Sequence, residues 1–198
     1  MEHQQSGQHL PLPSVAHAFA IQSIVMSSTS RTTSVFPLGD KLSARLARAI
    51  ALGLGCGRIP VSPGTMGTLA AWLSYALLLA RAPDALLAWF FVAALLIGWW
   101  ACERTARMLG SEDPGCIVWD EILAFWLVLW VLGPSSFWLQ LLAFGLFRFF
   151  DIVKPQPVRW ADRAFKGHGW RGAWGILWDD LVAAFCTLLV LALGVHWF

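Results

Sequence analysis

Charged residues are scarce in this chain, and tyrosine is almost absent. Only 13% of its 198 residues are Asp, Glu, Lys or Arg, and a single Tyr stands beside 13 Trp and 13 Phe. An ordinary soluble domain carries about 25% charged residues. With 58% hydrophobic residues, the chain has too little polar surface to be soluble in water. The composition therefore indicates a protein whose natural solvent is the lipid bilayer.

Paired cysteines are also missing. The four cysteines, Cys56, Cys102, Cys116 and Cys186, stand singly, without a C-x-x-C pair or a histidine at ligand spacing. This pattern indicates neither a structural zinc site nor a disulfide framework, and we expect free, mostly buried thiols.

The N-terminal region differs in composition from the rest of the chain. Residues 1–40 are rich in Ser, Gln, His and Thr. Their one apolar stretch, at 15–26, is interrupted by polar residues and lacks a basic flank, so we do not expect a cleaved secretory signal. The composition predicts a flexible extension over residues 1–40 and a membrane-embedded domain over residues 41–198.

Long apolar segments dominate the second region. Residues 41–57 carry Lys41, Arg45 and Arg48 at helical spacing, which predicts a short N-terminal interfacial helix. Five apolar segments follow, at roughly 67–80, 85–102, 116–133, 137–153 and 175–197. A transmembrane helix needs about 17–25 residues, so the first segment is short. Neither an internal repeat nor strand alternation is visible, and the sequence predicts an all-α, polytopic transmembrane helix bundle of four to five spans.

The basic residues predict the orientation of this bundle, because cytoplasmic loops are enriched in Lys and Arg. The region before the first segment and the four connections contain, in order, five, one, two, zero and five of them. This alternation predicts five spans and a cytoplasmic N-terminus. A four-span arrangement with a re-entrant first segment stays open, and it would place the C-terminus on the cytoplasmic face.

Carboxylates lie near the ends of three predicted spans, although a charge at the centre of a membrane helix costs about 2.5–3.5 kcal/mol. Asp120 and Glu121 begin the third span, Asp151 ends the fourth, and Asp179 and Asp180 begin the fifth. With five spans, all of them fall on the cytoplasmic face. Oxygen ligands from three helix ends suit a hard divalent cation, and Mg²⁺ is expected where phosphate is the other ligand. A favourable interaction with the helix dipole is the alternative for the helix-starting acids, but it does not account for Asp151.

Two basic residues accompany these acids. Arg148 and Asp151 are three residues apart, so they share a helix face and can form an ion pair. Arg148 and Lys154 beside a carboxylate cluster would suit a phosphate monoester. Attraction to anionic lipids at the membrane surface is the alternative explanation.

The loop at residues 62–68 offers small residues, hydroxyls and backbone N–H groups ahead of a predicted helix. Such a helix start attracts phosphate, which makes Thr65, Gly67 and Thr68 candidate substrate contacts. Helix capping and tight packing explain the same residues equally well. Glu112 and Asp113, in the second connection, belong either to the site, with Asp113 as a candidate metal ligand, or to a solvated turn. No Ser, Cys or His stands out as a nucleophile, so the chemistry would use metal-activated water or a carboxylate.

Four segments resemble the phosphatidylglycerophosphatase A family in order and spacing: residues 53–70, 112–121, 147–162 and 172–184. The strings FR-x-FD-x-x-KP-x-P and the final DD are the most specific, and the resemblance covers roughly residues 45–195. It implies Mg²⁺-dependent removal of the terminal phosphate of phosphatidylglycerophosphate, giving phosphatidylglycerol, at the cytoplasmic face of the bacterial inner membrane. The positions that match the family's acidic and basic motif residues are Asp113, Asp120, Glu121, Arg148, Asp151, Lys154, Asp179 and Asp180.

Two other classes of membrane protein also use intramembrane acids. The CDP-alcohol phosphatidyltransferases carry a D-x-x-D-G-x-x-A-R string, which is absent here. A small cation transporter or channel would need acids along a path through the membrane, whereas these cluster at one face. We therefore expect an enzyme that takes a phospholipid substrate from the bilayer and has no nucleic-acid partner.

Overall fold

The structure, a computed structural model, describes residues 38–197, with side chains over residues 41–194. Helix is the only regular secondary structure in this part of the chain, which confirms the all-α prediction there. The α-helices are Leu38–Ala51 (α1), Pro63–Ser74 (α2), Asp84–Leu109 (α3), Trp119–Leu132 (α4), Phe137–Val153 (α5), Val158–Ala164 (α6) and Gly169–Trp197 (α7). A 3-10 helix, Gly53–Arg58, precedes α2, and a π-helical turn, Tyr75–Leu79, continues it.

Two of these helices are long and apolar enough to cross a membrane, Asp84–Leu109 and Gly169–Gly194. The 14 residues of α4 and the 17 residues of α5 extend only about 21 and 26 Å at 1.5 Å per residue. Both are shorter than the roughly 30 Å hydrocarbon core. The total of four to five spans stays a prediction.

Helix α1 begins at Leu38, so the predicted boundary at residue 41 lies three residues inside it. Most of the predicted N-terminal extension lies outside the described residues. Ala47 and Ala51 of α1 are fully buried in a cluster that includes Ala101 of α3. The chain then turns sharply, because Leu54 and Gly55 adopt positive φ angles of 56° and 118°. The position of α1 at a membrane surface stays a prediction.

Helix α4 lies at the centre of the bundle and contacts α2, α3, α5 and α7. Every residue from Ile122 to Trp126 is buried, because α4 has neighbours on several sides. Phe125 packs against Phe147 of α5, with ring centroids 5.6 Å apart, and both side chains are fully buried. This core holds the beginning of α4 in a defined position.

Two glycines, Gly57 in the 3-10 helix and Gly67 in α2, bring these elements against the residues that precede α4. A Cβ added at Gly57 would lie 1.9 Å from the carbonyl oxygen of Cys116, and one added at Gly67 would lie 2.9 Å from Cβ of Val118. Real Cβ atoms do not approach other atoms so closely, so both positions require glycine. These contacts fix the backbone next to Asp120 and Glu121.

Candidate active site

Three helices bring the predicted carboxylates together. Asp120 and Glu121 lie in the first turn of α4, and Asp151 lies in the last turn of α5. Helix α7 begins at Gly169 rather than near residue 175, so the prediction that Asp179 and Asp180 begin their helix is wrong. The helix dipole acts mainly over the first turn, and it therefore does not explain these two aspartates.

Asp120, Glu121 and Asp180 lie close enough together for their carboxylates to hold one metal ion. Each offers one oxygen, and the three oxygens lie within 4.8 Å of one another. Asp120 Oδ1 and Glu121 Oε2 are buried and have no hydrogen-bond partner among the described residues. A buried carboxylate oxygen without a partner is costly. A divalent cation with oxygen preference would satisfy these atoms, so the residues fit Mg²⁺.

These acids line one open cavity of about 240 Å³. All six predicted metal ligands contribute to its wall: Asp113, Asp120, Glu121, Asp151, Asp179 and Asp180. Glu112 and Asp162 bring the number of lining carboxylates to eight, and Lys154 and Lys166 are the two lysines that line it. The cavity is therefore strongly acidic.

Arg148 lies behind the carboxylates rather than among the residues that line the cavity. Its Nη1 is 2.7 Å from Asp151 Oδ2 and 3.9 Å from Glu121 Oε1. It also donates to Thr68 Oγ1 at 3.4 Å. A Cβ added at Gly64 would lie 2.1 Å from Glu121 Oε1 and 3.0 Å from Arg148 Nη2. The guanidinium is thus packed so that it connects two acids from different helices.

Lys154 follows α5 and links two further acids. Its ammonium donates to the Asp179 carboxylate and, at 3.0 Å, to Asp162 Oδ1. Burial by itself would lower the pKa of Lys154, but the two carboxylates raise it above its ordinary value. Burial would raise the pKa of Asp162, whereas hydrogen bonds from Lys154 and Lys166 lower it. Lys154 therefore stays protonated across the physiological pH range.

Sequence reasoning missed Asp162 and Gly64, although both stand inside the quoted motifs. Pro155 and Pro157 end α5 and precede α6, which returns Asp162 to Lys154 eight residues earlier. The sign of Asp162 in the sequence is its position in a short helical segment that follows Lys154 and the P-x-P turn. The sequence does not define the direction in which the chain leaves this turn.

The three candidate substrate contacts near α2 do not line the cavity. Thr68 is fully buried and donates to the Gly64 carbonyl at 2.9 Å. The hydroxyls of Thr65 and Ser62 are 2.8 Å apart, and Gly67 packs on Val118. These contacts are those of a packed helix start, and a direct role in phosphate binding stays a prediction for all three.

Comparisons with known proteins agree with this geometry. The family described as Phosphatidylglycerophosphatase A matches residues 49–195. A protein named Phosphatidylglycerophosphatase A from Escherichia coli strain K12 is 38% identical over 150 residues, which cover 75% of this chain and 83% of that protein. One of the same name from Haemophilus influenzae is 36% identical over 148 residues, or 75% of this chain and 88% of that protein.

A third relative, from Bacteroides thetaiotaomicron, carries the provisional name phosphatidylinositol-3-phosphatase. It is 33% identical over 151 residues, which cover 73% of this chain and 91% of that protein. No solved structure shows a significant match to the chain. Because the family match extends over most of the chain and includes every carboxylate of the cavity, the chain belongs to the phosphatidylglycerophosphatase A family.

Proposed function

We propose that this protein is a Mg²⁺-dependent lipid phosphatase that hydrolyses the terminal phosphate monoester of phosphatidylglycerophosphate. The products would be phosphatidylglycerol and inorganic phosphate. The observation that carries this proposal is one acidic cavity, in which α4, α5 and α7 bring carboxylates together, in a chain of the phosphatidylglycerophosphatase A family.

The charge of the cavity supports the need for a cation. Eight carboxylates and two lysines line it, and a phosphate monoester brings further negative charge. At short range, like charges repel strongly in a partly buried site. Asp120, Glu121 and Asp180 would hold the Mg²⁺, with Asp113, Asp151 and Asp179 in the same wall. When bound, the ion supplies positive charge that offsets the charge developing on the phosphate oxygens.

The protein's own residues would hold this arrangement in place. Arg148 keeps the carboxylates of Asp151 and Glu121 oriented from behind. Lys154, fixed by Asp162 and Asp179, presents a permanent positive charge at the cavity wall for the phosphate oxygens. Catalysis by such a site depends mainly on positioning and on preorganised charge.

The outward face of α5 supports a bilayer environment. Trp138, Leu142 and Phe149 are spaced along one face and are 75%, 53% and 51% exposed. An exposed apolar face of this kind is suited to contact with lipid chains. We infer that α2, α4 and α5 are also membrane-embedded, giving four to five spans, with the cavity at the cytoplasmic face of a bacterial inner membrane.

A cation transporter or channel is the alternative function. It would require polar groups along a path through the bundle. In α4 and α5, the acids are confined to Asp120 and Glu121 at one helix start and Asp151 at one helix end. The distribution of charge favours the phosphatase.

A phosphate-release assay tests the proposal. Purified full-length protein is incubated with phosphatidylglycerophosphate in detergent micelles, with Mg²⁺ or with EDTA. We expect release of inorganic phosphate with Mg²⁺ and its loss with EDTA. No release under any condition would refute the phosphatase, and release unaffected by EDTA would refute the metal requirement alone.

A further inference from the structure

Helix α6 carries an exposed tryptophan opposite the side that packs on the bundle. Val158 and Ala161 are fully buried, and α6 has extensive contact with α7. Two residues along an α-helix point to nearly opposite sides, so Trp160 lies opposite Val158. Its side chain is 60% exposed, and none of the described residues accepts a hydrogen bond from its Nε1 or stacks on its ring. The bundle therefore leaves this indole without a partner.

The same helix forms part of the acidic cavity. Asp162 lines the cavity and accepts a hydrogen bond from Lys154 at 3.0 Å. Asp162 and Trp160 are two residues apart, so the side of α6 that reaches the cavity is nearly opposite the side that bears the indole. The contact that Trp160 makes therefore affects the position of one wall of the cavity.

Two arginines occupy a third side of α6. Arg159 and Arg163 are exposed and one turn apart, which places them on the same face. Tryptophan beside arginine is typical of a helix at a membrane surface, because the indole suits the boundary between lipid and water and arginine is attracted to anionic headgroups. A second copy of the chain is a poorer partner, since its own arginines would approach these two.

Exposed apolar side chains also end α5, just before α6 begins. Phe149, Ile152 and Val153 are each at least 50% exposed, and only residues 154–157 separate them from α6. An exposed apolar group at the end of a membrane helix is suited to contact with lipid. The bilayer that covers these residues would extend to the level at which α6 begins.

We propose that α6 lies in the headgroup layer of the phospholipid bilayer, with Trp160 among the lipids and with Arg159 and Arg163 toward the headgroups and water. This position holds the cavity wall formed by Asp162 at the depth of the lipid phosphates. The consequence for catalysis rests on the proposed phosphatase function: the phosphate of a lipid would reach the acidic cavity without leaving the bilayer surface.

Fluorescence quenching in nanodiscs tests this position without turnover. In full-length protein without native cysteines, Trp160→Cys is labelled with an environment-sensitive fluorophore. The nanodiscs contain phospholipids with a nitroxide either near the headgroup or near the end of an acyl chain, and iodide is the aqueous quencher. We expect strong quenching by the headgroup nitroxide and weak quenching by iodide, with emission at a shorter wavelength than in water.

Matched positions calibrate the depth. Arg163→Cys, on the arginine face of the same helix, should be quenched by iodide, and Leu142→Cys, exposed within α5, should be quenched most by the nitroxide at the chain end. Val153→Cys should be quenched by the headgroup nitroxide, which keeps the test decisive if Trp160→Cys does not fold. Iodide quenching at position 160 equal to that at position 163 would overturn the proposal. Protection from every quencher would also overturn it, because it would indicate a protein partner.

Kinetics with phosphatidylglycerophosphate in nanodiscs test the consequence for catalysis. Trp160→Ala should raise KM and leave kcat unchanged, because the depth of the cavity affects lipid binding rather than the chemistry. Trp160→Tyr should restore KM, since tyrosine also favours the membrane interface. Trp89→Ala removes another exposed tryptophan, in α3 and away from the cavity, and should leave KM unchanged.

An unchanged KM in Trp160→Ala would overturn the link between α6 and the depth of the cavity. A wild-type protein without turnover would refute the phosphatase function instead. The quenching measurement would then still decide the position of α6, because it needs neither substrate nor metal.

Discussion

Arg148 and Lys154 both contact acids of the site, and they do so at different places. Arg148 joins Asp151 and Glu121 from behind the cavity wall, whereas Lys154 lies in the wall and joins Asp179 to Asp162. We therefore expect Arg148 to act on the substrate through the acids that it orients. We expect Lys154 to contact the phosphate directly.

Loss of the cavity acids should abolish phosphate release. We expect Asp151→Asn, or Asp179→Asn combined with Asp180→Asn, to lower kcat about 100-fold or more, since an amide is a weaker cation ligand than a carboxylate. Phosphate release is measured on protein extracted from membranes, which also reports insertion. Asp84→Asn, at the start of α3 and away from the cavity, is the matched control. Full activity in either site variant would refute the metal-site assignment.

Arg148 and Arg163 should differ sharply when each is replaced by alanine. Arg148→Ala leaves the carboxylates of Asp151 and Glu121 without their guanidinium, so we expect kcat to fall about tenfold or more. Arg163 is exposed, and its replacement should have little effect. The two variants are compared in the same release assay. Equal losses would show that Arg148 has no special role in the site.

Short helices and tight glycine contacts join the distant parts of the site. Gly57, before α2, and Gly67, within α2, allow close contact with the residues that precede α4, and α6 returns Asp162 to Lys154. Neither contact follows from helix propensity, because each depends on the direction in which a turn leaves its helix. The site therefore depends on connections as much as on the long helices.

Gly57→Ala should destabilise the protein. Its Cβ would lie 1.9 Å from the Cys116 carbonyl oxygen, and overpacking of this kind costs about 1–3 kcal/mol. Gly145→Ala, inside α5 where a Cβ meets nothing within 4 Å, should be neutral or stabilise by about 0.5–1 kcal/mol. Thermal unfolding in detergent measures both. Equal stability of the two variants would contradict the close packing at Gly57.

The α6 connection should make stability depend on acid pH. Lys154 and Lys166 lower the pKa of Asp162 in the folded protein, so the unfolded chain binds more protons in the acid range. The resulting stabilisation is complete above the ordinary Asp pKa of about 3.9 and is lost as pH falls through the folded value. Asp162→Asn should therefore lose less stability than the wild type between about pH 5 and pH 3. The unfolding temperatures of the wild type and of Asp162→Asn are measured across this pH range. Parallel curves of unfolding temperature against pH would contradict the effect.

The whole bundle combines two long apolar helices, of which α7 carries Asp179 and Asp180, with shorter ones that carry the other acids of the predicted spans. Helices α3 and α7 have the length of membrane spans, while α4 and α5 hold Asp120, Glu121 and Asp151 at their ends. Because their acids lie at the helix ends, the remaining length of α4 and α5 has no acidic residue. This arrangement suits an enzyme that works at one surface of a bilayer.

Labelling of single cysteines tests the orientation of the bundle. In a variant without native cysteines, Arg163→Cys should react with a membrane-impermeant reagent only from the cytoplasmic side, and Arg81→Cys only from the opposite side. Both positions are exposed, and five spans place them on opposite faces. Reaction of both from the same side would refute the five-span arrangement.

The sequence by itself determined the helical class, the identities of six of the eight cavity acids and the pairing of Arg148 with Asp151. Apolar runs dictate membrane helices, and a spacing of three residues dictates a shared helix face. Only the tertiary structure decided that Asp180 joins Asp120 and Glu121, that Arg148 lies behind the cavity, and that Asp162 holds Lys154. These contacts join residues far apart in the chain, and their geometry depends on how helices pack and where turns lead them, which local sequence patterns do not encode.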